Sequence, residues 1–277
     1  ARAHGSYADL VADPTVDAVY VASPHSEHAQ HALLALRAGK PVLVEKAFTR
    51  NLAEAEAVFD EARSRGLLAA EAMWSRYLPH YDVVARTARD GALGDLVAVV
   101  ADHGQPLWPD GPARLARREL AGGALLDLGV YPLSFADHVL GGLEDVVALG
   151  SRSDLGVDVT TVVSGRAAGG AVAHVWCTMA AATPCTARVV GTRARLEVDG
   201  RFYAPARVLL VGPAGTVLDE YVPKDTAHPF RFQVAEFARA LAEGRTEPAC
   251  LPWEATRRVL AVMDRARRQV RVAYPGE

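Results

Sequence analysis

The sequence predicts an α/β protein in two parts: a parallel α/β unit over residues 1–72, then an α+β unit with an open, mainly antiparallel sheet over residues 73–277. Three observations carry this reading. In the first part, short runs that are apolar throughout alternate with helical patterns, as in βαβ units whose sheet is covered on both faces. After Met73 the strand-like runs follow one another across Gly- and Pro-containing turns, which join antiparallel neighbours. Two helical patterns then close the chain.

In order along the chain, Ser6–Ala12 reads as the end of a helix closed by Asp13-Pro14, and Asp17–Ser23 as a β-branched strand ended by Pro24. Ser26–Ala38 carries Ala29, Leu33 and Leu36 on one stripe, with Gly39 as a helix stop. Val42–Val44 is a second strand. Asn51 is a plausible N-cap for a helix to Arg65 that faces Leu52, Ala55, Val58, Phe59 and Ala62 inward and ends at Gly66. Leu67–Ala70 is a third short apolar run. In the second part, Pro79–Thr87 is helical, Asp95–Ala101 is a strand, and Gly104–Leu120, rich in Pro, Gly and Arg, reads as a long surface loop. Leu125–Leu140 is helical, with a kink expected at Pro132. Strands are expected at 146–150, 157–164, 171–179, 187–190, 195–198, 207–211 and 216–222, and helices at 230–242 and 253–269.

Composition narrows the function classes. Half of the 277 residues are hydrophobic, 23% are charged and the net charge is −3, so no basic surface for nucleic acid is expected. No apolar run reaches the length of a membrane span. Three cysteines with no CxxC argue against a disulfide framework or zinc ribbon and for a reducing cytoplasm.

In an open parallel sheet, ligands bind outside the carboxyl ends of the strands. Those ends here carry Ser23-Pro24-His25-Ser26-Glu27-His28, then Glu45-Lys46, then Glu71-Ala72-Met73-Trp74-Ser75-Arg76. One polar strand end is merely where a strand meets water; three on one edge mark a crevice. His28 and His31 share a helix face, but no third ligand and no HExxH accompany them, so no metal is expected and surface helix histidines are the simpler expectation, with His25 and His28 near the crevice. Cys177 lies in an alternating apolar strand and reads as core. In the second part, Asp127 and Tyr131 stand four residues apart on a helix that opens with Gly122-Gly123. They are either a buried hydrogen-bonded pair or a carboxylate and a phenol for proton transfer. A phenol needs a nearby cation to work near neutrality, and Lys46 is the candidate.

The stretches "VYVASPHSEHAQHALLALRAGKPVLVEKAFT", "EAMWSRYLP", "GGALLDLGVYPLSFADHVLG" and "LPWEATRRVLAVMDRARRQ", in this order, resemble the Gfo/Idh/MocA family of NAD(P)-dependent oxidoreductases, in its dimeric dihydrodiol dehydrogenase and NADP-dependent D-xylose dehydrogenase branch. The resemblance spans essentially the whole chain. It implies a Rossmann domain followed by an α/β domain whose open sheet forms a homodimer, with NADP, or else NAD, as cofactor. It implies Lys46, Asp127 and Tyr131 as catalytic, Ser23, Pro24, His25, His28, Glu45 and Lys46 along the cofactor, and Trp74 and Arg76 near a polyol, sugar or dihydrodiol substrate. Two departures stand out. Ala47 replaces the usual proline, which implies a less rigid turn. No G-x-G-x-x-G occurs, and the chain begins with Ala1 near the helix before the family's fourth strand, so an N-terminally incomplete Rossmann domain is expected. The competing expectation is a non-catalytic ligand-binding dimer.

Overall fold

A computed structural model describes residues 2–277. The first sheet has three parallel strands in the order β1 (Val19–Val21), β2 (Val42–Glu45), β3 (Ala69–Ala72). It is fed by α1 (Tyr7–Ala12), α2 (His28–Arg37) and α3 (Leu52–Arg65). Asn51 caps α3 through its side chain, which accepts from the Glu54 amide, and Gly66 ends it in the left-handed conformation. Ala55, Val58, Phe59 and Ala62 are buried as their spacing implies, while Leu52 is half-buried.

The other face of this sheet is covered by an element from far along the chain. Phe237 and Ala240 of α6 (Arg231–Ala242) form a small core with Leu43, Leu68, Ala70 and Ala72. β2 and β3 are thus covered on both sides, which is why Val42, Leu43, Val44, Ala69, Ala70 and Ala72 are apolar; the charged Glu45 and Glu71 stand toward the carboxyl ends.

The second sheet has eight strands: β4 (Leu96–Gly104), β5 (Glu144–Arg152), β6 (Asp158–Arg166), β7 (Val172–Thr178), β8 (Ala187–Gly191), β9 (Arg195–Val198), β10 (Val208–Val211) and β11 (Val217–Tyr221). Their spatial order is β11-β10-β9-β8-β4-β7-β6-β5. Every pairing is antiparallel except β4 with β7. One face packs against α5 (Val130–Leu140) and α7 (Trp253–Val270), and α4 (Pro79–Arg89) lies against α5. Among the described residues no helix is long and apolar enough to cross a membrane.

Two local expectations are corrected. β4 runs on to Gly104, paired with β7, and the Asp102 carboxylate is satisfied by the segment just before β8: it accepts from the backbone amides of Cys185 and Thr186 at 2.8 and 3.0 Å. The expected kink at Pro132 is replaced by a wide π-type turn, Leu125–Gly129, leading straight into α5. Pro132 lies inside this continuous helical run, and the wide turn just before it is where its missing N–H is accommodated without a sharp kink.

Candidate active site

The site forms where the carboxyl end of β2 meets the turn before α5. Lys46 follows the last apolar residues of β2, and its side chain, 15% exposed, reaches across to the second unit. Its Nζ donates to the Asp127 carbonyl at 2.7 Å and to Asp127 Oδ1 at 3.1 Å. It also stands 5.1 Å from the centre of the Tyr131 ring. Asp127, in the wide turn, and Tyr131, in the first turn of α5, therefore meet the same amine. A second cation, the Arg114 guanidinium, donates to Asp127 Oδ1 at 3.2 Å.

These charges set one another's protonation. Burial would raise the Asp127 carboxyl, but Lys46, His25 and Arg114 outweigh it and hold the group well below the ordinary carboxylate range. Burial would lower the Lys46 amine, but Tyr131, Asp127 and Glu45 outweigh it and hold it above its usual value. Tyr131 corrects an expectation. Burial pushes its phenol above the ordinary value, and Lys46 and the Trp74 indole only partly oppose that. Trp74 Nε1 donates to the Tyr131 hydroxyl at 3.0 Å, so the phenol's direct partner is an indole, while the lysine's hydrogen bonds go to Asp127.

The structure puts His25 and His28 beside the crevice, as expected, but more deeply than a surface helix implies. His25 and His28 are 4% and 1% exposed, not surface residues. His25 Nδ1 lies 3.0 Å from the Ala121 carbonyl and Nε2 lies 3.2 Å from that of Lys46. His28 Nδ1 lies 2.9 Å from the Ala47 carbonyl and Nε2 2.8 Å from that of Ser23. Burial, reinforced by the Lys46 charge, pushes His25 down to about 3, and burial lowers His28. Burial opposes charge on both rings, and a neutral ring can donate to only one of the two carbonyls it faces. Their role here is to hold the turn after Lys46 from beneath. Ala47 is fully buried and its peptide bond to Lys46 is cis. Phe48 N donates to Glu71 at 3.3 Å. These partners pin the turn that the missing proline was expected to loosen.

Pro24 precedes the short turn His25–Glu27, and Ser23 Oγ bonds His31 Nδ1 at 3.0 Å. Glu45 accepts from the Tyr20 hydroxyl and from the Lys46 amide. Arg76 is not brought to the crevice. It is 4% exposed and donates to Ser134 O and Oγ at 3.3 Å, with Asp137 at 3.7 Å, so it ties α5 to the segment after β3. The expectation that it meets substrate gives way to this packing role, since a buried arginine needs its carboxylate.

Four neighbours escape a reading from sequence. Arg114 sits in what reads as a surface loop. His103 stacks on Tyr203 at 4.2 Å and meets Tyr131 edge-on at 5.0 Å, and Phe230 lies 4.8 Å from Trp74. The available signal was weak: aromatic residues in loops, and a histidine on the covered face of β4.

The carboxyl ends of β1 and β2 and the start of the segment after β3 face a buried cation, a carboxylate and a phenol. This donor set suits the nicotinamide end of a dinucleotide, where hydride and proton must move together.

Comparison with known proteins agrees. Residues 1–72 match the oxidoreductase family with an NAD-binding Rossmann fold, and residues 81–197 match the GFO/IDH/MocA C-terminal domain. A D-xylose 1-dehydrogenase (NADP(+)) of Hypocrea jecorina is 35% identical, with 99% of this chain and 78% of that protein covered. A trans-1,2-dihydrobenzene-1,2-diol dehydrogenase of Danio rerio is 34% identical, with 99% and 83% covered. A 3-ketoreductase from Actinomadura kijaniata, solved in complex with NADP and TDP-benzene, superposes with a TM-score of 0.85 at 30% identity, covering 95% of this chain and 81% of its own. The chain is a member of the Gfo/Idh/MocA family of NAD(P)-binding oxidoreductases.

Proposed function

We propose that the protein transfers hydride between NADP(H) and a hydroxyl-bearing carbon of a sugar, cyclic polyol or trans-dihydrodiol. The observation that carries this is the buried meeting of Lys46, Asp127 and Tyr131 at the end of β2. Bound nicotinamide supplies or accepts the hydride. Lys46, Glu45, Ser23, Pro24, His25 and His28 form the wall along which it would lie, the two histidines by shaping the backbone. Tyr131, its phenol held protonated by burial, donates its proton to a carbonyl oxygen as that carbon is reduced, and the Lys46 cation stabilises the phenolate left behind. In the oxidative direction the phenol must first release its proton, and the phenolate, stabilised by the Lys46 cation, then takes the hydroxyl proton. Asp127, fixed as a carboxylate, orients the substrate hydroxyl and keeps Lys46 charged. Help of this kind contributes roughly 100- to 10,000-fold in rate. Trp74, Tyr203 and Phe230 offer apolar ring faces on which a sugar or dihydrodiol ring can lie. The competing reading, a non-catalytic binding dimer, gives no reason to bury a cation, a carboxylate and a phenol together.

The test follows nicotinamide absorbance on adding D-xylose, other aldoses and a trans-dihydrodiol, with NADP and NAD in parallel. Turnover with one of these, lost in Lys46→Ala and strongly reduced in Tyr131→Phe, supports the assignment. Wild-type turnover in Tyr131→Phe removes the tyrosine's role.

The open sheet face supports a homodimer. Leu149, Val162 and Trp176 are in register across β5, β6 and β7, and Val147, Ser164, His174 and Val100 across β5, β6, β7 and β4. Leu149 is 74% exposed, Val147 59% and Val100 41%, exposed apolar residues on a face interrupted by the Ser164–His174 pair, and a second copy would cover them. Leu149→Glu is expected to give monomers by light scattering while the wild type is dimeric. Cys177, Cys185 and Cys250 are free, which supports a reducing, cytoplasmic setting.

A further inference from the structure

The turn that carries Asp127 is held from behind by groups that touch neither Lys46 nor Tyr131. Asp158, the first residue of β6, is fully buried. Its Oδ2 accepts from the Leu125 amide at 2.7 Å and from the Thr161 hydroxyl at 2.9 Å. Leu125 opens the wide turn, so its amide is one of the donors a helix start leaves without a partner. The other carboxylate oxygen, Oδ1, has no hydrogen-bond partner among the described residues and packs against Gly123, where an added Cβ would stand 2.3 Å from it. Gly123 also has φ +112°, so both the close approach and the backbone demand glycine. One residue earlier, the Tyr274 hydroxyl donates to the Gly122 carbonyl at 2.9 Å from the segment after α7.

We infer that Asp158 and Tyr274 are positioning residues of the active site: they fix the backbone at Gly122–Leu125 and so set where Asp127 meets Lys46. The inference rests on the proposed role of Asp127. A buried carboxylate is a costly way to satisfy one amide and one hydroxyl, and a core without function would use a neutral group. Burial pushes Asp158 up to about 6, with the Thr161 and Leu125 bonds opposing, and those two bonds are the ones that favour its carboxylate form. Asparagine could keep an oxygen at Leu125, but its amide group would then fill the Oδ1 position with two buried donors and no acceptor.

The test compares Asp158→Asn, Tyr274→Phe, Thr161→Val and Asp127→Asn with wild type for turnover, KM, the isotope effect with carbon-deuterated substrate, and NADPH affinity by fluorescence. Asp158→Asn and Tyr274→Phe are expected to lower kcat about 10- to 100-fold, the loss typical of a small misplacement of a catalytic group. NADPH affinity should hold within about twofold, because uniform binding is untouched. The isotope effect on kcat should rise as the chemical step becomes slower. Thr161→Val removes the other bond to the same oxygen and should keep kcat. Wild-type kcat and isotope effect in a folded Asp158→Asn overturn the inference, as does an equal loss in Thr161→Val. Should Asp158→Asn not fold, Tyr274→Phe decides: wild-type kcat there overturns it. If Asp127→Asn itself turns over normally, the role of Asp127 fails; if Asp127→Asn is crippled and both positioning variants are normal, only the positioning fails.

Discussion

Replacing Lys46 by methionine keeps most of the side chain's volume and removes its charge. In the structure Lys46 and Asp127 have side chains 15% and 9% exposed and meet at 3.1 Å, so the change leaves a buried carboxylate facing only Arg114, whose side chain is 43% exposed. Breaking a buried pair by removing one partner costs about 3–5 kcal/mol. Arg114 softens this, so about 3 kcal/mol is expected for Lys46→Met. Lys46→Met/Asp127→Leu removes the stranded charge and should recover most of that stability with no recovery of turnover. Urea unfolding of the four members of this cycle measures the coupling directly, with the m-value as a check that only stability has changed. Turnover should fall in every variant by at least about 100-fold. The reasoning is refuted if Lys46→Met unfolds at the wild-type urea concentration, or if the double variant is less stable than either single one.

Other outcomes follow from the same geometry. Burial depresses His25 and His138 to about 3 and His80 and His103 to about 4. Below about pH 6.5 the unfolded chain takes up these protons and the folded chain does not, so their contribution is complete above that pH and is lost as pH falls, at roughly 1.4 kcal/mol per pH unit per group. Asp158, raised to about 6, acts with the opposite sign between about pH 6 and 4, but four histidines outweigh it. Urea midpoints should therefore drop from pH 7 to pH 5, and less steeply in His25→Asn; a flat profile would contradict the buried neutral rings. Trp74→Phe keeps an apolar ring and removes the donor to the Tyr131 hydroxyl, so the phenol should rise further. Turnover in the oxidative direction should fall about fivefold to tenfold, the worth of one hydrogen bond, and its pH profile should move to the alkaline side; an unmoved profile would show that this bond does not tune Tyr131.

Most of the fold could be read from period and punctuation. Asn51 and Gly66 bracket α3 as their chemistry requires, and the apolar β2 run announces a strand covered on both faces. That α6, some 160 residues beyond β3, supplies one of those covers could not be read, because an amphipathic stripe says that a face is buried and not against what. The site was legible to the same degree. Lys46, Asp127 and Tyr131 could be paired because each stands at a strand end or a helix start. The inverted balance at Tyr131 could not, since it depends on how deeply the ring is buried. Arg76 misled because a charged residue at a strand end looks the same whether it faces a crevice or a buried Asp137. How deeply His25 and His28 lie beside the crevice could not be read, because most of the carbonyls they face lie in other segments of the chain.

The central claim is that hydride passes between the nicotinamide and a hydroxyl-bearing carbon within reach of Lys46, Asp127 and Tyr131. Transfer of deuterium from carbon-deuterated D-xylose or dihydrodiol to the C4 position of NADP, followed by NMR in wild type and Lys46→Met, tests it most directly. Label on one face of C4 in the wild type and none above background in the variant is the expected result; equal labelling in both, or reduced cofactor without label, would contradict it.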